Sequence, residues 1–126
     1  MPYALLAATL SAEYGIGVRH GCFCAHPLMT RLLGVDLEQD ARIRDRLGRG
    51  LPTAIPGAVR ASTGLGTKPD DLDALVEAVT RVARFGPGWT YRSSPDGTDC
   101  VPDPDPREPP ELPFDLASPQ PAPAYG

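Results

Sequence analysis

The sequence predicts a small α/β domain of two layers, followed by a proline-rich tail. Three observations carry that expectation. Leu72, Leu75, Val76, Val79, Val82 and Ala83 form one apolar stripe at helical spacing. Two short β-branched segments, residues 16–20 and 58–63, lie beside glycines and read as strands. Ten of the sixteen prolines fall between Pro95 and Pro123, where a packed core has little to build on. The division is therefore a body over residues 1–86 and a tail over residues 87–126.

The elements follow in order. PYALLAATLSAEY, residues 2–14, is rich in alanine and leucine, with Pro2 at the first turn and Gly15 placed for a left-handed cap. Residues 16–20 then form the first strand. CAHPLMTRLLG gives a loop and a short helix, with Pro27 in its first turn and Gly34 at its end. DLEQDARIRDRLG is a charged helix over residues 36–48 that Asp36 caps. LPTAIPG is a connector broken by prolines, and GAVRASTGLG is the second strand running into a glycine-rich loop. The helix over residues 67–84 carries Pro69 in its first turn, and Thr67 and Asp70 have the spacing of a capping box. Beyond Gly86, Trp89 and Tyr91 are expected to dock back on the body. After about Pro95 the composition predicts a disordered, partly polyproline II extension.

Charge divides the same way. The chain has 126 residues and a net charge of -4. The body has ten Lys+Arg against nine Asp+Glu, and the tail has two against seven. No basic block interleaved with aromatics appears, so no nucleic-acid partner is expected. The longest apolar run, residues 4–10, is too short to span a bilayer, so no membrane partner is expected. Without an export signal the expected compartment is the cytoplasm, where the three cysteines stay reduced.

The chemistry concentrates in RHGCFCAHP, residues 19–27. His20, Cys22, Cys24 and His26 alternate there. Consecutive strand positions do not wrap tetrahedrally around one ion, so no metal is assigned. Cys22 reads as a packing residue, and Cys100 as an incidental thiol of the tail. Cys24 reads either as a small loop residue or as a reactive thiol.

This loop, with GAVRASTGLGTKPDDLDALVEAV, resembles the C-terminal subdomain of class V aminotransferase-fold enzymes. These are fold type I pyridoxal-phosphate (PLP) enzymes that include cysteine desulfurases and selenocysteine lyases. Arg19, Gly21, Cys24, Ala25 and Pro27 fit the family's loop pattern. Arg60, Ala61, Ser62, Thr67 and the helix from Pro69 fit the second motif. The resemblance covers residues 3–84. It implies that Cys24 is the catalytic cysteine that takes up substrate sulfur as a persulfide. It implies that Arg60 binds the carboxylate of an amino-acid substrate, since a guanidinium meets both carboxylate oxygens at once. Arg19 is a second arginine at that site, and its positive charge near Cys24 favours the thiolate.

The sequence also departs from the family. PLP belongs to a large domain that supplies the Schiff-base lysine, and the one lysine here, Lys68, lies outside that context. Thirty-five residues separate Cys24 from Arg60, and the helix over residues 36–48 reads as an insertion. The expectation is a truncated member that binds no PLP by itself and is inactive alone, or one completed by a separate large domain or a homodimer. The alternative is a non-enzymatic sulfur-carrier or binding module that uses Cys24.

Overall fold

Twelve residues at the start of the chain, α1 (Tyr3–Tyr14), are apolar on nearly every side, and such a helix is stable only when surrounded. The structure, a computed structural model, describes residues 1–51, 53 and 55–108 and places α1 at the centre of the fold. The helix packs against both small sheets and against the last helix. Ala4, Ala7, Thr9 and Leu10 are buried, and the Thr9 hydroxyl is satisfied within the helix by the Leu5 carbonyl at 2.8 Å. Gly15 ends the helix at φ 67°, the left-handed conformation that an L side chain resists.

The remaining elements are β1 (Arg19–Gly21), α2 (His26–Leu32), α3 (Leu37–Gly48), β2 (Ala58–Arg60), α4 (Pro69–Phe85), β3 (Tyr91–Ser93) and β4 (Cys100–Pro102). The sheets are two antiparallel pairs, β1 with β2 and β3 with β4. The fold is thus a small mixed α/β domain of four helices and two small sheets among the described residues. No helix among them is long and apolar enough to cross a membrane.

Both strands of the first pair are shorter than their β-branched segments, because only three residues on each side find a partner. Gly57 marks where they converge. A methyl group there would lie 2.8 Å from the Tyr3 ring and 3.0 Å from the Gly21 carbonyl. Asp36 caps α3 as predicted, in a full box with Gln39: the Gln39 N–H donates to Asp36 Oδ1 at 2.7 Å, and the Gln39 amide oxygen accepts from the Asp36 N–H at 3.4 Å. The start of α4 differs from expectation by one residue. Asp71, not Asp70, accepts from the Lys68 N–H at 2.8 Å, and Thr67 Oγ1 accepts from the Gly64 N–H instead.

The larger correction concerns the expected tail. Order does not stop near Pro95, since β4 lies beyond it and packs on α1. The prolines fall where a hairpin tolerates them. Pro95 sits in the turn, and Pro102 ends an edge strand. The turn closes through the Ser94 N–H to the Asp99 carbonyl at 2.9 Å. Asp96 within it accepts from Ser94 Oγ at 2.7 Å and from Thr98, and these bonds hold its carboxyl down at about 2. Cys100, read as incidental, is buried with its sulfur 3.3 Å from Ser93 Oγ. The rest of the expected disordered extension, residues 109–126, lies outside the described residues.

Glu13, in the last turn of α1, ties the hairpin down. Its carboxylate accepts from the Gly88 N–H at 2.9 and 3.0 Å, from the Trp89 N–H at 3.1 Å and from the Tyr91 hydroxyl at 2.9 Å. The docking expected of Trp89 and Tyr91 thus rests on one carboxylate. Burial and the bond to Glu13 push the Tyr91 phenol up to about 12. The folded protein therefore keeps a proton that the unfolded chain gives up near pH 10. This stabilisation is complete below about pH 10 and is lost as pH climbs toward about 12. Urea midpoints across that window should fall steeply in the wild type and less steeply in Tyr91→Phe. Equal slopes would show that the phenol is not held by Glu13.

Candidate functional site

The pairing of β1 with β2 sets two arginines against each other. The register aligns Arg19 with Arg60, His20 with Val59 and Gly21 with Ala58. Residues directly opposite in an antiparallel pair project from the same face, so both guanidinium groups emerge together. They line an open depression of ≈ 350 Å³ together with Cys22, Phe23 and Cys24. All three residues to which the sequence assigned a role thus share one surface.

A like-charged pair directly opposite on two strands is unfavourable. Nothing acidic relieves it, since neither Arg19 nor Arg60 has a carboxylate partner among the described residues. Arg60 is instead supported by Phe23, with the guanidinium carbon 5.0 Å from the ring centroid. That contact fixes the arginine without neutralising it. The depression keeps an uncompensated double positive charge.

The turn that presents Cys24 is strained. Phe23 and Cys24 have φ of 56° and 55°, and the Ala25 N–H closes the turn on the Cys22 carbonyl at 3.0 Å. Two consecutive left-handed residues are the backbone of a type I′ turn, which glycine, asparagine or aspartate adopt readily. Placing Phe and Cys there costs on the order of 1–2 kcal/mol each. The strain puts the Phe23 ring beneath Arg60 and leaves Cys24 exposed beside the arginines, while Cys22 is half-buried.

Of the two histidines of the loop, His20 also borders the depression and His26 does not. The His20 ring lies against Tyr3, with centroids 5.9 Å apart. His26, at the start of α2, places Nε2 at 2.8 Å from Oδ1 of Asp40, a buried carboxylate on α3 that also receives Arg44. No group of three His, Cys, Asp or Glu side chains among the described residues is arranged to hold a metal. The structure gives His26 and α3 a role that sequence reasoning missed. The helix read as an insertion supplies the acid that anchors the loop. A His two residues after Cys24 and a run of acids in the next helix were the signal, but the pairing needs the fold to bring them together.

Lys68 is exposed at the N-terminus of α4, and it does not line the depression. The depression is thus lined without a lysine.

Comparison of the chain with protein-family models, with curated proteins and with solved structures found no match.

Iodoacetamide labelling read by mass spectrometry should modify Cys24 first, Cys22 more slowly, and Cys100 last. A buried thiol reacts only after local opening, so Cys100 should lag Cys24 on the order of a hundredfold. Labelling of Cys22 ahead of Cys24 would contradict the turn geometry.

Proposed function

We propose that residues 1–86 act as the C-terminal subdomain of a class V aminotransferase-like, PLP-dependent enzyme of the cytoplasm. In this reading Arg60 and Arg19 receive the carboxylate of an amino-acid substrate, and Cys24 is the thiol facing it. One observation carries the reading: two arginines stand opposite each other with no acid to neutralise them, around a depression that also holds Cys24. An anion entering there relieves the repulsion, and a carboxylate matches a guanidinium donor for acceptor. Phe23 holds Arg60 in place, which lowers the entropy lost on binding. PLP and its lysine would come from a complementary large domain. By itself the chain binds the carboxylate and turns nothing over.

The exposure of Cys24 favours a second reading, a sulfur-carrier or binding module that uses this thiol without PLP. Such a module has no need of a carboxylate at the arginine pair.

Protection of Cys24 from alkylation separates the two. A small 2-oxo acid such as pyruvate should slow Cys24 labelling, with half-protection on the order of 10 mM for so open a site. Its methyl ester should not. Arg60→Gln should abolish the protection and Arg19→Gln should weaken it. Equal protection by acid and ester, or protection that survives Arg60→Gln, would remove the carboxylate role and leave the carrier reading.

A further inference from the structure

Helix α4 carries more apolar surface than the fold uses. Ala78 and Val82, each 1% exposed, face α1. A second set, Leu72, Val76, Val79 and Ala83, recurs at i, i+4, i+7 and i+11 and lies along a neighbouring face. That face is open. Leu72 is 43%, Val76 64% and Val79 37% exposed, and Ala83 is exposed as well. Isolated exposed apolar residues are ordinary, but a stripe of four over three turns of one helix is the shape a second helix packs against.

Charge along the helix indicates what that second helix is. The acids Asp70, Asp71, Asp73 and Glu77 occupy the N-terminal part, and Arg81 and Arg84 the C-terminal part. Asp73, Arg81 and Arg84 have no ion pair among the described residues. A pattern acidic at one end and basic at the other is complementary to itself when reversed. A two-fold axis midway between Val76 and Val79 sets Val76 against Val79 of a second copy and Leu72 against its Ala83. It also brings Asp73 within about one helical turn of Arg84 of that copy, twice by symmetry. A parallel pairing would oppose acid to acid and arginine to arginine.

We infer that α4 is a self-association surface, on which a second copy of this chain docks its own α4 antiparallel to form a two-fold dimer. Four apolar residues a side fall short of the roughly 20–30 residues of a standard interface, so the dimer is weak and reversible, with a dissociation constant on the order of 10–100 µM. The inference rests on α4 alone and is independent of the carboxylate reading.

Sedimentation equilibrium of the full chain tests it. Between about 5 µM and 1 mM the mean mass should climb from the 13.4 kDa monomer toward twice that value. Val76→Lys, at an exposed position, should hold the mass at monomer throughout while leaving the thermal melt measured at low concentration unchanged. Asp73→Arg and Arg84→Asp should each weaken self-association at least about tenfold. An equimolar mixture of these two variants should dimerise again, because each chain then supplies the charges the other lacks. A wild type that stays monomeric to 1 mM (about the weakest affinity such a face would show) overturns the inference. So does a dimer that Val76→Lys leaves intact, and so does a mixture that fails to recover.

Discussion

The burial of α1 is the constraint on which the other elements depend. A two-stranded antiparallel pair is not stable in water by itself, and this fold contains two of them. Each packs against α1, which also contacts α4. Ala4 and Ala7 are small and buried, and Leu10 is among the largest fully buried side chains of the described residues. Burying a leucine of that kind contributes about 1.5–3 kcal/mol. Near either end, α1 makes a specific attachment: Tyr3 lies against His20 of β1, and Glu13 gathers the segment leading into β3.

This arrangement explains how so small a sheet supports a strained and charged surface. The type I′ turn at Phe23 and Cys24, and the opposed arginines beside it, each raise the free energy of the folded chain. Such features persist where surrounding structure determines them. Here the turn is fixed on one side by β1, whose His20 rests on α1. On the other side it is fixed by His26, which the buried Asp40 holds on α3. Strained backbone, an exposed thiol and uncompensated positive charge thus share one rim, with the anchoring acid set back on α3.

The helices were largely legible in the sequence because their signals are local. Asp36 and Gln39 show the cap of α3 directly, and the 3.6-residue recurrence of apolar side chains shows α4. Both arginines of the depression, and their place at neighbouring strand ends, were also legible, though the register that sets them directly opposite was not. Register depends on where Gly57 lets β2 approach Gly21 and Tyr3, and that is a contact between distant parts of the chain. The hairpin after residue 86 was missed for a different reason. Proline density is a property of the whole segment, while the turn signal Ser94-Pro95-Asp96-Gly97, flanked by YRS and CVP, is only a few residues long. The buried state of Cys100 was missed with it. The partnership of His26 with Asp40 spans fourteen positions and two helices, and no periodicity encodes it.

In the proposed function Arg19 and Arg60 receive one carboxylate between them. Side-chain Nε–Hε signals of the arginines, followed by NMR as pyruvate is added, test it most directly. Arg19 and Arg60 should shift together along curves that give a single dissociation constant. The ion-paired Arg42, Arg44 and Arg49 should stay in place. Movement of Arg19 and Arg60 at different concentrations, or shifts spread evenly over all the arginines, would contradict a shared carboxylate site.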